Sequence, residues 1–332
     1  MSAPSLTSHS AERSRKHGRR GTTRGHSNGT GQLHSPRRSS GSELRLLGVE
    51  RLCGAAVGFE QRGIATSGSF PVRRRSCFWN APRNVDPPTP VTRLRRAFAE
   101  GGLALVAARA VGILYRTALC RAAARKLSRE LPAVASLDEA IDYAFGFHID
   151  DLNISPVQKR SEITELLHLG RQRGPLRTIV EIGTDTGGTL FLLTRAAEPD
   201  AIIATVDIRR PERALVCRAF ARDQQHVRLI HGDSHQEKTQ RRVERLFAHR
   251  DLDLLFIDGD HSYNGVRRDF ELYSPLVKKG GMIAIHDIAP GPELAVGGVP
   301  LFWRELKEAH HSSIELVEDW QQGGFGIGVI FR

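Results

Sequence analysis

Residues 181–188 read Glu-Ile-Gly-Thr-Asp-Thr-Gly-Gly and stand between an apolar run, 178–182, and a helix-like run, 189–197. Glycines there let the backbone approach a ligand without a Cβ clash, and the helix that follows offers unpaired N–H groups at its start. The segment therefore points to a nucleotide-like cofactor. Glu181 at the head of the turn would repel a pyrophosphate and suits a cationic or hydroxyl-rich group. The Glu-x-Gly-x-x-x-Gly spacing also differs from the Gly-x-Gly-x-x-Gly of dinucleotide sites. A turn whose glycines serve only helix–strand packing is the competing reading.

Further acids recur downstream, each at or just beyond an apolar run: Asp207, Asp233, Asp258 with Asp260, and Asp287 after His286. The elements that must position them are strands expected at 178–182, 201–207, 227–231, 252–258 and 282–286, separated by stretches long enough for right-handed helical crossovers. A helical lead-in is expected at 103–130 and 155–171. Two last strands, 314–318 and 326–331, flank a glycine-bearing turn and should form an antiparallel C-terminal pair. The pattern predicts an α/β fold: a doubly wound, mostly parallel seven-stranded sheet of Rossmann-like type, covered on both faces. In such sheets ligands sit beyond the carboxyl ends of the strands. Acids at five of those ends place a site on that rim.

Charge divides the chain. Eighteen of the 48 Lys and Arg, but five of the 37 Asp and Glu, fall in residues 1–97, so the formal charge of +11 belongs to that part and 98–332 is near neutral. The folded body thus gives no charge-based reason to expect specific nucleic-acid binding. Residues 1–97, rich in Ser, Gly, Arg and Pro, are expected to be a disordered basic region, ahead of a helical lead-in at 98–174 and a catalytic domain at 175–332. For that region a solvated extension, an organelle-targeting segment and a tether to acidic surfaces stay open, as does a translation start at a codon such as that of Val91. Without a targeting role the expected location is the cytoplasm. Cys53, Cys77, Cys120 and Cys217 form no Cys-x-x-Cys pair, which fits a reducing compartment. Arg109 and Arg116 interrupt the apolar stretch 103–120, so no transmembrane segment is expected. With Arg121, Arg125 and Lys126, residues 103–127 read as a basic amphipathic helix, either packed on the body or in peripheral contact with anionic lipid.

Over about 150–332 the sequence resembles the class I S-adenosylmethionine-dependent methyltransferases. Three stretches carry the likeness: Val180-Glu181-Ile182-Gly183 through Gly187, then Gly232-Asp233-Ser234, then Phe-Ile-Asp-Gly-Asp-His-Ser-Tyr at 256–263 continuing to Gly-Gly-Met-Ile-Ala-Ile-His-Asp at 280–287. The third is similar to the branch that groups macrolide and deoxysugar O-methyltransferases with cephalosporin hydroxylase-like proteins, as are 156–163 and 317–328. The resemblance implies that Glu181, Gly183 and Gly187, with Thr184, line the amino-acid end of S-adenosylmethionine. It implies Asp207 on the ribose hydroxyls, Asp233 with Ser234 on the adenine, and Asp258 beside the cofactor. Asp258 and Asp287 would be ligands of Mg2+, and Asp260 or His261 the base. Metal-using relatives often show two adjacent oxygen ligands where this chain has His286-Asp287. Histidine suits a softer ion or a base role better, so His286 is either a further base candidate or structural, and the need for metal stays open.

The expected reaction is O-methylation of a small hydroxylated acceptor such as a sugar or natural product, in a pocket built by the N-terminal helices and loop 289–299, with a homo-oligomer as one assembly. An NAD-dependent Rossmann oxidoreductase and a non-catalytic scaffold with a basic tail are the alternatives. A base-methylating enzyme is disfavoured, because Asp86-Pro87-Pro88 precedes the first strand and lacks the aromatic residue that such motifs carry.

Overall fold

The computed structural model describes residues 90–332 except 210–212, 249 and 311; of 90, 91, 93, 94 and 97 it describes the backbone only. The expected basic region therefore lies outside the described residues as far as 89, together with Cys53, Cys77 and the Asp86-Pro87-Pro88 run. The chain enters through helix α1 (Pro90–Glu130), broken at Gly101 and Gly102, where φ reaches +60 at the second glycine. Helix α2 (Leu137–Gly146) follows, opened by Ser136, whose hydroxyl accepts from Glu139 N at 3.1 Å while the Glu139 carboxylate receives Ser136 N. This capping box was not read from the sequence, although its Ser-x-x-Glu spacing was available there. After a two-residue hairpin, helix α3 runs Arg160–Arg173. It starts later than the expected 155, since Pro156 biases Ser155 toward extended backbone.

Alternation then sets in: β1 (Thr178–Ile182), α4 (Gly188–Ala196), β2 (Ile202–Asp207), α5 (Ala214–Arg218), β3 (His226–His231), α6 (Glu237–Leu246), β4 (Leu252–Ile257), α7 (Tyr263–Tyr273), β5 (Val277–His286), α8 (Glu293–Val296), α9 (Val299–Ala309), β6 (Ser313–Leu316) and β7 (Ile327–Phe331). The seven-stranded sheet has the order β3-β2-β1-β4-β5-β7-β6. Strands β1 to β5 are parallel, and β7 inserts antiparallel to both β5 and β6. The expected C-terminal antiparallel pair is present. The strand order switches at β1, with β2 laid on one side of it and β4 on the other, which opens a crevice at their carboxyl ends.

Successive residues of β1 feed opposite layers. Ile179 joins Leu119, Leu166, Leu190 and Phe256 on one face, whereas Val180 and Ile182 join Val243, Val266, Phe302 and Trp303 on the other. Both faces of the central strands are thus covered, and Thr-Ile-Val-Glu-Ile and Leu-Asp-Leu-Leu-Phe-Ile are buried at every position.

Helix α1 departs from expectation. The stretch Phe98–Ala133, most of it in this helix, is long and apolar enough to cross a membrane by length and composition alone, Arg109 and Arg116 notwithstanding. Only its later part, at Leu119, Cys120, Ala123 and Leu127, packs into the core.

Candidate active site

The carboxyl ends of β1 to β5 open on a cavity of about 800 Å3. One wall is the turn from β1 into α4. Gly183 has φ +93, and a Cβ there would stand 2.0 Å from the Asp258 carbonyl oxygen. Gly188 lies so close to the 154–156 segment that a Cβ would meet Pro156 N at 2.4 Å. These contacts require glycine and leave bare backbone facing the cavity. Asp207, ending β2, ties the turn down: Oδ2 accepts Thr184 N at 3.1 Å and Asp185 N at 3.3 Å, and Oδ1 accepts Arg209 N at 2.7 Å. Its carboxylate also lines the cavity.

The opposite wall carries charge. Asp258 Oδ1 is 3.2 Å from His261 Nε2 and 3.2 Å from His286 Nδ1, and its Oδ2 accepts Gln158 Nε2 at 2.7 Å. His261 Nδ1 lies 2.7 Å from the Ala295 carbonyl, which fixes that nitrogen as the donor and turns Nε2 toward Asp258. Asp287 holds φ at 64, in the left-handed region that a non-glycine residue occupies at a strain of roughly 1–3 kcal/mol. Its Oδ1 accepts Phe325 N at 2.8 Å, and its Oδ2 stands 3.4 Å from His261 Nδ1 and 3.6 Å from His286 Nδ1.

Asp258 and the two imidazoles so placed shift one another. Burial alone would raise the Asp258 pKa, but the positive charges of His286 and His261 hold it well below the usual carboxylate range. Burial opposes the charged imidazoles too, and the hydrogen bond to Asp258 carries His261 up to about 9. For His286 the charge of Asp287, then that of Asp258, brings it to about 9 as well. Asp258 and both imidazoles are therefore charged near neutral pH.

Asp258, His261 and Asp287 each offer a donor atom, all within 4.8 Å of one another. Two carboxylates and one imidazole fit a divalent cation that accepts nitrogen beside oxygen, as Mn2+ does more readily than Mg2+. His261 thus offers a third donor atom beside Asp258 and Asp287, the two ligands expected from the sequence.

Among the expected site residues, Gly183, Thr184, Asp207, Ser234, Asp258, Asp260, His261, His286 and Asp287 line the cavity, and Glu181, Gly187 and Asp233 do not. Glu181 is wholly buried behind the turn, with neither carboxylate oxygen in a hydrogen bond. Burial, followed by the charges of Asp258, Asp207 and Asp185, raises its pKa well above the ordinary value despite the opposing Thr205 hydroxyl. Gly187 caps α4 in the left-handed conformation and packs on Cys217 and Phe220. Asp233 directs Oδ1 to His235 N at 3.0 Å and Oδ2 to the Gln236 amide at 3.1 Å, shaping the turn after β3. Asp260, 4% exposed, accepts Ser262 N at 3.0 Å at the start of α7. Sequence reasoning missed Gln158 as a site residue, although it lies in the segment 156–163 that carried part of the resemblance. Loop 289–299 contributes Glu293, Leu294, Gly297 and Gly298 to the mouth.

Residues 180–288 match the family model described as a methyltransferase domain, Methyltransf_24. An uncharacterized protein of Acanthamoeba polyphaga mimivirus is 33% identical over 122 residues, a match that covers 33% of this chain and 51% of that protein, so the chain spans about half the length of this curated relative. Among solved structures, an O-methyltransferase from Bacillus cereus in complex with SAH is similar at 21% identity and a TM-score of 0.41, over 59% of this chain and 90% of that one. The O-methyltransferase TomG from Streptomyces achromogenes, in complex with SAM, is similar at 20% identity and a TM-score of 0.41, over 59% and 88%. The family match takes in the glycine-rich turn, Asp207 and the whole Asp258 to Asp287 cluster. Over residues 180–288 the chain thus matches a methyltransferase domain.

Proposed function

We propose that the protein moves the methyl group of S-adenosylmethionine to a hydroxyl oxygen of a small molecule, with a sugar or sugar-decorated natural product as the acceptor class. The supporting observation is that one cavity joins the glycine turn and Asp207 to the Asp258, His261, Asp287 cluster. A donor bound along the first wall would present its methyl toward the second. Bare backbone at Gly183 accommodates the amino-acid end, and the two oxygens of Asp207 can accept from both ribose hydroxyls.

The sulfonium brings its own leaving group, so alignment and exclusion of water supply much of the rate. The new oxygen–carbon bond forms as the sulfur–carbon bond breaks, and the donor leaves as a neutral thioether. In the cation-free site the acceptor proton passes to Nε2 of His261 in its neutral form, the ring nitrogen turned toward Asp258, and Asp258 then stabilises the imidazolium. Asp258, His261 and Asp287 would hold a divalent cation, whose chemistry is to lower the acceptor hydroxyl pKa. Gln158 and His286 orient Asp258 from the interior side.

Incubation with labelled S-adenosylmethionine and a panel of hydroxylated sugars, with Mn2+ or Mg2+, tests the reading. A methyl ether product is expected. Binding of S-adenosylhomocysteine without turnover on any acceptor would favour the scaffold alternative.

A further inference from the structure

Helix α1 carries an outward ridge that changes character along its length. Leu103, Ala107, Val111, Leu114, Ala118, Arg121 and Arg125 follow one another at helical spacings of three and four, and every one is exposed. The apolar members stand far out of the body: Leu103 is 76% exposed, Val111 65% and Leu114 69%, with Ile113 at 66% beside them. Arg109 and Arg116 fall instead on the line that continues into Cys120, Ala123 and Leu127, the side by which the helix meets the core. The ridge is thus free of charge for about 24 Å and then becomes basic.

Between Glu100 and Glu130 the helix holds Arg109, Arg116, Arg121, Arg125, Lys126 and Arg129 and no acid. That selects among occupants. A second copy of the ridge would set two cationic rows together, and the chain's own residues 1–97 carry eighteen Lys and Arg against five acids. An anionic bilayer matches both halves: acyl chains take the apolar face, and phosphates take the arginines at its end.

We infer that α1 lies in the surface of an anionic membrane, with the ridge of Val111 and Leu114 embedded and Arg121 and Arg125 on lipid phosphates, so that the methyltransferase domain works beside a bilayer. Flotation of the full chain with phosphatidylcholine vesicles, with and without phosphatidylglycerol, at low and high salt, tests this. Partition into the anionic vesicles is expected, with a part that survives high salt. Val111→Asp combined with Leu114→Asp should lower the salt-resistant part roughly tenfold or more. Arg121→Gln combined with Arg125→Gln should weaken low-salt binding roughly thirtyfold. Near-UV circular dichroism and S-adenosylhomocysteine affinity should match wild type in both variants. Undiminished salt-resistant binding by the Asp variant would assign membrane contact to other residues and overturn the inference. So would a wild-type chain that ignores anionic vesicles, including one that forms a dimer which the Asp substitutions dissociate.

Discussion

Gln158 and Asp258, 100 residues apart in sequence, meet through a 2.7 Å hydrogen bond from the side-chain amide to Oδ2. The other end of that amide accepts Thr189 Oγ1 at 2.7 Å, so its orientation is fixed from both sides. Gln158 is 3% exposed and acts as a positioning residue for Asp258. Gln158→Leu should lower kcat by about 10- to 100-fold, the usual effect of removing such a partner, with S-adenosylhomocysteine affinity nearly unchanged. Parallel kinetics and calorimetry check it; a loss confined to cofactor affinity would contradict the assignment.

Asp207→Ala should weaken S-adenosylhomocysteine binding by about 3 kcal/mol, since two hydrogen bonds to a charged acceptor are lost. The fold should persist, because Asp185 and Arg209, two of the three residues whose N–H groups the carboxylate receives, are exposed and can turn to water. Unchanged affinity by calorimetry would remove Asp207 from the ribose site.

Asp258→Ala should abolish turnover while cofactor affinity stays close to wild type, because the carboxylate serves the acceptor and cation end of the cavity. Chelator should mimic the substitution in the wild-type protein. Full activity in chelator would exclude a required cation and leave the acceptor proton to a side-chain base such as His261.

The histidine pair sets a pH dependence with a definite sign. His261 and His286, both raised to about 9 from an ordinary value of 6.5, stabilise the metal-free fold fully below 6.5 and lose that contribution as pH rises through about 9. Melting temperature in chelator should therefore fall across that window. A cation at Asp258, His261 and Asp287 competes with the His261 proton, so Mn2+ affinity should rise over the same range and binding should release protons. Melting curves with and without Mn2+ give both trends, and a pH-independent Mn2+ affinity would rule out His261 as a ligand.

Glu181 offers a contrast. Its folded pKa is raised, so the neutral acid stabilises fully below the ordinary carboxylate value and that stability declines as pH climbs through the folded value. Glu181→Gln keeps the shape and removes the ionisation, and should raise the melting temperature at neutral pH. A lower melting temperature would mean that the folded protein needs the carboxylate charged.

The sheet was readable from sequence because its central strands are continuous apolar runs that end in acids, and the glycine turn stands where the first of them stops. Side-chain direction was not readable. Glu181 and Asp207 both end strands, yet Glu181, one place short of the β1 terminus, points into the covered layer, while Asp207 occupies the last position of β2 and reaches the cavity. Gln158 was hidden for a different reason: it comes from the extended segment ahead of α3, and only the tertiary fold carries that segment to the end of β4. The α1 helix showed its basic, apolar character in sequence, but which residues face outward depends on where the core takes hold at Leu119.

The account stands or falls on what the cavity beside Gly183 and Asp207 binds, and calorimetric titration of the full chain with S-adenosylhomocysteine and, separately, with NAD asks that most directly. Saturable binding of S-adenosylhomocysteine and none of NAD is predicted. Binding of NAD with no S-adenosylhomocysteine bound would contradict it.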